Sequence, residues 1–372
     1  MIHNIPFLDL SPSHHLIEGQ LKMAFNDTLK KSIFVLGDNV SKFENEYAQF
    51  NDTKFSVGLS NGLDALILCL KALNIGPGDE VIVPSNTYIA TVLAVSHVDA
   101  IPIFAEPDEL TFNITSKSIS KVISNKTKAI MPVHLYGQAC KMDEIMELAE
   151  KHNLFVIEDN AQGHGATYND KITGSWGHIN ATSFYPGKNL GALGDGGAIT
   201  TDTVQYADAI RLLRNYGSSI KYQNDVIGFN NRLDELQAAF LSIKLKHLNE
   251  WTAQRQKIAT WYNELLKDVG DIVLPMVSSG STHVYHLYVI KSSYRDNLQE
   301  YLKVNGIGTL IHYPIPPHLQ KAYLHLGFKK GDFPISEKLS ETTLSLPMWP
   351  GLTYAQVSII SGCIKNYFEI KN

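Results

Sequence analysis

Two charged side chains of opposite sign follow apolar segments and could form the centre of a reactive site. Residues 154–157, Leu-Phe-Val-Ile, run into Glu158, Asp159 and a polar loop that contains glycine. A carboxylate at the end of a buried strand could bind a metal ion, act as a base or hold a cationic ring nitrogen, or it could only cap the next helix. Lys188 stands between an aromatic segment and a glycine-rich stretch. Most lysines are solvated, but a partly desolvated lysine has a lowered pKa and can form a Schiff base.

Two further segments could supply binding groups. Residues 60–66, Ser-Asn-Gly-Leu-Asp-Ala-Leu, open an apolar helix. The free N–H groups at a helix start suit a phosphate, although a capped structural helix has the same pattern. Residues 228–232, Gly-Phe-Asn-Asn-Arg, precede a second helix and either cap it or provide polar groups to a site.

In combination these segments match the requirements of a pyridoxal phosphate enzyme. Such an enzyme needs a lysine for the aldehyde, an acid that keeps the pyridine nitrogen protonated and a cradle for the phosphate. Lys188 lies 29 residues after Asp159, and the helix start at Gly62 precedes both. The sequence therefore predicts a cofactor site built from all three.

Alternating strand-like and helix-like blocks must position these residues. Short apolar runs at 81–85, 101–106, 129–137 and 154–159 predict strands, and the patterns at 63–73, 89–97 and 142–152 predict helices. This alternation is typical of a mostly parallel sheet covered by helices on both faces. We therefore predict an α/β fold for the first part of the chain.

The pattern changes after Phe229. Residues 233–267 predict one long helix, 283–290 and 308–314 predict strands, and a terminal helix is predicted from near Thr353. A further helix is predicted over 13–31. We expect a large domain over residues 1–250, including this N-terminal helix, and a smaller α+β domain over residues 251–372.

Composition narrows the classes of protein. The 372 residues carry a net charge of −5, which argues against a broadly basic nucleic-acid-binding or membrane-surface protein. Because no signal peptide and no apolar run of ~18 residues is found, we expect a cytoplasmic protein with no membrane or nucleic-acid partner. Cys69, Cys140 and Cys363 are far apart and lack zinc spacing, so reduced thiols and no metal site are expected.

The chain resembles the DegT/DnrJ/EryC1/StrS sugar aminotransferases, which belong to the fold-type I, aspartate aminotransferase-like pyridoxal phosphate enzymes. The resemblance runs from residue 5 to about residue 350. Its most specific strings are EDNAQGHGA (158–166), SFYPGKNLGALGDGGA (183–198), LRNYGSSIKYQND (213–225), GFNNRLDELQAA (228–239) and HYPIPPHLQKAY (312–323). Five such strings in the family's order imply the same fold and cofactor.

The resemblance implies roles around the cofactor ring. Lys188 would carry pyridoxal 5'-phosphate as a Schiff base, and its freed amine would then move a proton between the substrate and the cofactor. Asp159 would pair with the pyridinium nitrogen, Tyr88 would stack on the ring and Gln162 would reach the ring hydroxyl. Packing in the core remains the alternative for Tyr88.

The resemblance also implies how the phosphate is held. Ser183 and the backbone of Gly62 and Leu63 would bind it, although many relatives have threonine where this chain has Leu63. Asn230 would reach the same phosphate from the other subunit, so the site would require a homodimer. Asn231 and Arg232 are open alternatives for part of that role.

The substrate expected from the resemblance is a nucleotide sugar. Relatives with histidine in place of Lys188 are dehydratases, so the lysine favours transamination. The strings resemble the branch that converts dTDP-linked 3-keto-6-deoxyhexoses into 3-amino-3,6-dideoxyhexoses. L-glutamate would donate the amine, pyridoxamine phosphate would be the intermediate and 2-oxoglutarate would leave. The candidate sugar and nucleotide contacts are His164, Tyr185, His312 and Tyr313.

Two alternatives stay open at this point. One is a C4 aminotransferase that makes perosamine-like or 4-amino-4,6-dideoxy sugars. The other is a regulatory protein that binds the cofactor without catalysis, which the joint presence of Lys188, Asp159 and Gln162 disfavours. The family also implies that the product enters a surface polysaccharide such as O-antigen.

Overall fold

A seven-stranded sheet forms the centre of the first half of the chain. The computed structural model describes residues 4–371. The strands of this sheet stand in the order β1-β9-β8-β5-β4-β2-β3. Their bounds are β1 Phe55–Leu59, β2 Glu80–Pro84, β3 Ile101–Ala105, β4 Thr127–Ile130, β5 Phe155–Asp159, β8 Ile179–Ser183 and β9 Gly197–Thr201.

Smaller strand pairs and twelve helices complete the described part of the chain. The pairs are β6 Thr167–Tyr168 with β7 Lys171–Ile172, β10 Ser218–Ile220 with β11 Gln223–Asn224, and β12 Tyr288–Lys291 with β13 Thr343–Leu346. The helices are α1 Ser11–Lys31, α2 Asp38–Phe50, α3 Gly62–Ala72, α4 Ile89–His97, α5 Ser116–Ser120, α6 Met142–His152, α7 Val204–Leu213, α8 Glu235–Leu245, α9 Leu248–Leu266, α10 Arg295–Val304, α11 Pro334–Thr342 and α12 Tyr354–Lys371.

The central sheet is mostly parallel, as the sequence predicts. β2 pairs in parallel with β3 and β4, and β5 pairs in parallel with β4 and β8. Only β9 runs against its neighbours, β1 and β8. Successive side chains point to opposite faces of a strand, so Val81 and Ile157 pack under α3 and α4 while Ile82 and Val156 pack under α6. Both faces are therefore covered by helices.

The predicted strand at 129–137 is shorter than expected. β4 ends at Ile130, and residues Leu135–Gly137 form a 3-10 turn. Tyr136 and Gly137 both have positive φ, at 60° and 103°, which no strand accommodates. The turn redirects the chain across the end of the sheet.

The predicted long helix at 233–267 is also wrong. It is divided into α8 and α9, because the N–H groups of Lys246 and His247 bond three residues back instead of four. Phe240 of α8 and Trp251 of α9 both pack with Ile17 of α1 in one apolar cluster.

Two predicted strands after residue 270 are largely irregular. Only Tyr288–Lys291 of the segment 283–290 is a strand, because Tyr285 has a positive φ and the N–H groups of Val284 and Leu287 bond the carbonyls of Gly137 and Tyr136. The segment 308–314 forms a single bridge, between Leu310 and Ser345.

The C-terminal elements enclose a hydrophobic core of their own. It contains residues of α9, α10, α12, β12 and β13, together with Ile5 from the N-terminal segment. The domain boundary at residue 250 stays a prediction. Within residues 4–371, no helix combines the length and apolarity needed to cross a membrane.

Candidate active site

A cavity of about 610 Å³ opens where β5 and β8 end and the C-terminal region closes over them. Ten of the residues that the sequence singled out line it. They are Gly62, Leu63, Tyr88, Asp159, Gln162, Ser183, Tyr185, Lys188, His312 and Tyr313. We call residues 61–195 of this lining the sheet wall and residues 286–348 the C-terminal wall.

Lys188 lies in a tightly fastened loop of the sheet wall. Its backbone N–H donates to the Tyr185 carbonyl at 2.8 Å, and Lys244 Nζ donates to the Gly191 carbonyl at 2.7 Å. Burial lowers the pKa of Lys188 from 10.5 to about 8, although the negative charge of Asp159 works in the opposite direction. A lysine in this state has a substantial fraction of neutral, nucleophilic amine near neutral pH.

Asp159 ends β5 and is 5% exposed. Its Oδ2 accepts a hydrogen bond from the Thr91 hydroxyl at 2.8 Å, and its Oδ1 accepts one from the Ala161 N–H at 3.1 Å. Burial raises its pKa despite these bonds. A buried carboxylate without a close cation is costly, so a cationic ring nitrogen bound beside it would stabilise the charge. This carboxylate therefore fits the pyridine nitrogen of the cofactor.

The start of α3 fits a phosphate. Asn61 caps the helix, since its side chain and carbonyl accept from the N–H groups of Asp64 and Ala65. Within residues 4–371 the N–H groups of Gly62 and Leu63 have no such partner. A Cβ on Gly62 would lie 2.5 Å from Ser183 Cβ, so the helix start closes directly against that serine. Two free amides and a hydroxyl therefore lie close together at the helix start, where a phosphate could bind.

Gln162 is buried at the floor of the cavity. Its Oε1 accepts from the Tyr136 N–H at 2.6 Å, and its Nε2 donates to the Tyr313 hydroxyl at 3.1 Å. A primary amide has a second N–H on Nε2, which is left for a hydroxyl of a ligand. Half-exposed Tyr88 lies opposite, with its ring 5.2 Å from that of Tyr313. These three side chains line the same part of the chain's cavity and offer it two aromatic rings and one amide.

The C-terminal wall adds histidines. His312 Nδ1 lies 2.8 Å from the Ser345 hydroxyl, and burial lowers its pKa to about 4. The Tyr136 hydroxyl donates to the His312 carbonyl. His286 also lines the cavity, and burial holds its pKa well below the ordinary value. Both imidazoles are neutral at pH 7 and can each donate and accept one hydrogen bond.

Sequence reasoning missed His286 and Thr91. His286 lies in a segment whose alternation indicated only packing, and a histidine at a buried position of such a segment was the available signal. Thr91 lies in the first turn of α4, three residues after Tyr88, and is fully buried. Its hydroxyl is the side-chain partner of Asp159.

His164 is not brought to the cavity. It is 1% exposed, and its ring stacks on Phe184 with centroids 5.9 Å apart. The loop folds back through bonds from the Gly163 N–H to the Asn160 carbonyl and from the Ala166 N–H to the Gly163 carbonyl. This turn directs His164 behind the sheet wall, whereas Tyr185 lies exposed at the rim.

Asn230 lines a second hollow, of about 510 Å³, rather than the cavity of its own Lys188. Asp195 lines both spaces. Arg232 lies in the second hollow as well, where it donates to Asn215 Oδ1 at 3.0 Å and lies over the Tyr216 ring. Asn230 therefore acts on a cofactor only if it serves another copy of the chain.

Comparison with known proteins agrees with this geometry. Residues 16–365 match the model of the DegT/DnrJ/EryC1/StrS aminotransferase family. The chain belongs to this family. A relative from Aneurinibacillus thermoaerophilus, a dTDP-3-amino-3,6-dideoxy-alpha-D-galactopyranose transaminase, is 48% identical over 98% of this chain and 99% of its own length. A Geobacillus stearothermophilus relative named a pleiotropic regulatory protein is 43% identical over 98% and 99%.

A solved structure shares the whole fold. It is that of S. venezuelae DesV in complex with a ketimine intermediate, and it superposes with a TM-score of 0.96 at 41% identity, covering 98% of this chain and 99% of that one. Another matching structure holds the pyridoxamine form of the cofactor. The predicted family, fold class and pyridoxal phosphate cofactor are thereby confirmed, and the protein is a sugar aminotransferase.

Proposed function

We propose that the protein transfers the amino group of L-glutamate to C3 of a dTDP-linked 3-keto-6-deoxyhexose and releases 2-oxoglutarate. The observation that carries this proposal is the pairing, in one cavity, of a partly buried lysine of lowered pKa with a buried carboxylate. The name of the Aneurinibacillus relative supports the sugar and the position of amination.

The chain's own residues divide the work. When bound, pyridoxal phosphate supplies an electron sink for the carbon that carries the amino group. Asp159 holds the ring nitrogen in its protonated form, and the helix start at Gly62 with Ser183 fixes the phosphate. Lys188, once its amine is free, moves a proton between the substrate and the cofactor. Because desolvation lowers the pKa of the lysine to about 8, its amine is neutral often enough to act as a base near that pH.

Polar groups at the mouth of the cavity would bind the sugar and the nucleotide. Tyr185 stands exposed at the rim, and His312 and Tyr313 extend from the opposite wall. A neutral histidine and two phenols suit sugar hydroxyls, since each can both donate and accept a hydrogen bond.

We infer a homodimer whose subunits share their active sites. Val35 lines the hollow of Asn230 and belongs to a run of exposed apolar side chains at residues 33–36. Tyr222 and Ile227 are also exposed, at 87% and 96%. Patches of this kind mark protein interfaces. Light scattering should give twice the chain mass, and a monomer with full activity would contradict the shared site.

The remaining assignments rest on the same picture. The separate core around α9 and α12 supports a large domain over residues 1–250 and a small domain over residues 251–372. The family supports a cytoplasmic enzyme whose product enters deoxysugar and surface polysaccharide synthesis.

Visible absorption tests the first half of the reaction. The purified protein with pyridoxal phosphate should show a band near ~420 nm that L-glutamate shifts towards ~330 nm, as conversion to the pyridoxamine form requires. The Lys188→Ala variant should give neither the first band nor turnover. Normal turnover by that variant would overturn the assignment of the lysine. An unchanged band after glutamate would overturn the choice of donor.

A panel of nucleotide sugars tests the second half. The pyridoxamine form should return to the first band with dTDP-3-keto-6-deoxyhexoses and not with 4-keto sugars. Recovery with 4-keto sugars alone would establish the C4 alternative. Binding of the cofactor without turnover of any sugar would favour a regulatory role, the function that the name of the Geobacillus relative describes.

A further inference from the structure

Glu158, the second carboxylate of the strand end, lies on the face of the sheet opposite Asp159. Its side chain is fully buried and accepts four hydrogen bonds. The Trp176 and Gly177 N–H groups bind Oε1 at 2.6 and 3.0 Å, while the Gly174 N–H binds Oε2 at 2.9 Å. The fourth donor is a histidine that is connected to the active site through the backbone.

That histidine is His134, also fully buried. Its Nε2 lies 2.6 Å from Glu158 Oε2, and its Nδ1 accepts the Cys140 N–H at 3.1 Å. The second bond requires an unprotonated Nδ1, so the imidazole is neutral and donates through Nε2. Burial by itself would raise the pKa of Glu158, but the bonds from His134 and the backbone outweigh it and hold that pKa below the ordinary value.

His134 begins the turn that contacts the cofactor side. Its N–H donates to the Asp159 carbonyl at 3.3 Å, and its carbonyl accepts the Gly137 N–H at 3.2 Å. The next residue but one is Tyr136, whose N–H fixes Gln162 Oε1 at 2.6 Å. Two short hydrogen bonds, Glu158–His134 and Tyr136–Gln162, are therefore joined through the backbone of residues 134–136.

We propose that Glu158 and His134 are positioning residues, whose buried bond fixes the turn Leu135–Gly137 and through it the orientation of Gln162 towards the cofactor ring. This inference rests on the proposed function. Neither side chain touches the cavity, so both act through the turn. Glu158 is fully buried, and His134 is the one side chain among its four hydrogen-bond donors, so this bond ties the carboxylate to the turn.

Binding of pyridoxal phosphate to the cofactor-free protein tests this path. Glu158→Gln places an amide NH2 against backbone donors, and His134→Leu removes the donor to Glu158. Each should weaken cofactor binding about tenfold, the effect of one poorly satisfied buried group. Each should also shift the pH midpoint of the bound cofactor's absorption, as Gln162→Ala should.

Two controls separate positioning from general damage. Glu106→Gln removes a carboxylate that likewise binds backbone N–H groups, those of Ile335 and Ser336, but has no connection to Gln162. It should leave binding and spectrum within about twofold of the wild type. His134→Gln keeps an N–H donor near Glu158 and should restore binding. If Glu158→Gln does not fold, the two His134 variants carry the test.

A double-mutant cycle gives the decisive comparison. If Glu158 acts through Gln162, the double variant Glu158→Gln with Gln162→Ala binds no more weakly than Gln162→Ala alone. The inference would be overturned if the losses of cofactor affinity in the two single variants added up in the double variant. It would also be overturned if Glu158→Gln lost no more affinity than Glu106→Gln. Failure of the wild type itself to bind the cofactor would instead overturn the proposed function, and the inference with it.

Discussion

The two walls of the cavity are built in different ways. In the sheet wall, Asp159 and Ser183 stand at strand ends and Gly62 stands at a helix start, so regular backbone bonds position them. In the C-terminal wall, His286 and His312 lie on irregular segments. Contacts from distant parts of the chain, such as those of Tyr136 and Arg255, hold these segments.

This difference between the two walls separates the residues that carry out the cofactor chemistry from the residues that recognise the sugar. The start of α3, Asp159 and Ser183, which would touch the cofactor, are set by secondary structure, which tolerates little displacement. The groups that would touch the sugar depend on a few long-range contacts, which substitutions can alter without loss of the sheet. Damage to one wall should therefore affect cofactor chemistry, and damage to the other should affect the choice of sugar.

The pH dependence of cofactor capture probes the sheet wall and should show the largest effect. Only the neutral amine of Lys188 attacks the aldehyde. Since burial lowers its pKa to about 8, the neutral fraction rises tenfold per pH unit below that value and levels off above it. The capture rate of cofactor-free protein should thus increase about 100-fold between pH 6 and pH 9, as stopped-flow absorbance can measure.

A midpoint near the ordinary lysine value would show that Lys188 is solvated in the free protein. Lys188→Ala should give no capture at any pH, which separates this lysine from the surface lysines.

Arg255→Met should disturb the C-terminal wall, and its effect should be smaller than the pH dependence of cofactor capture. Arg255 is 3% exposed and its Nη1 donates to the carbonyls of Tyr285 at 3.1 Å and Met348 at 3.2 Å. Methionine would leave these carbonyls buried without a donor, so the free energy of unfolding should fall by about 2 kcal/mol. Urea denaturation measures this change. KM for the sugar should rise, while the cofactor band stays in place.

Arg211→Met is the matched control. Its ion pair with Asp208 is exposed, so stability should not change measurably. Loss of the cofactor band in Arg255→Met would show that the two walls are not independent.

Two glycine substitutions should give the smallest effects: one should weaken cofactor binding, and the other should increase stability. Gly62→Ala sets a Cβ 2.5 Å from Ser183 Cβ and should weaken binding of pyridoxal phosphate about tenfold by displacing the phosphate site. Gly19 of α1 has no atom within 4 Å of an added Cβ, so Gly19→Ala should stabilise the helix by about 0.5–1 kcal/mol. Fluorescence titration and thermal unfolding measure the two changes. Equal cofactor affinity in the two variants would contradict the assignment of the phosphate site to the start of α3.

Sequence reasoning placed the sheet wall because its signals are local. An apolar run that ends in Asp159 and a small residue that opens an apolar helix at Gly62 are readable within ten residues. Their meeting at one edge follows from parallel strands. The helix bounds at Ile89–His97 and Met142–His152 were predicted for the same reason.

The rest depends on contacts that no short segment records. The turn at Gly137 approaches the backbone of His286 so closely that an added Cβ would lie 2.8 Å from its nitrogen. That approach, and not the alternation of residues 283–290, sets the path of the C-terminal wall. The inward fold of the loop at His164 and the pairing of His134 with Glu158 are likewise decided by packing.

The three cysteines allow the opening of the two hydrophobic cores to be followed separately. Cys69 and Cys140 are buried among the helices and strands of the sheet, and Cys363 is buried in the C-terminal core. Burial raises the pKa of each thiol, and alkylating reagents react with the thiolate. Each thiol is therefore labelled only when its own surroundings open. Peptide mass spectrometry of a single alkylated sample would time the opening of both cores, with no residue changed.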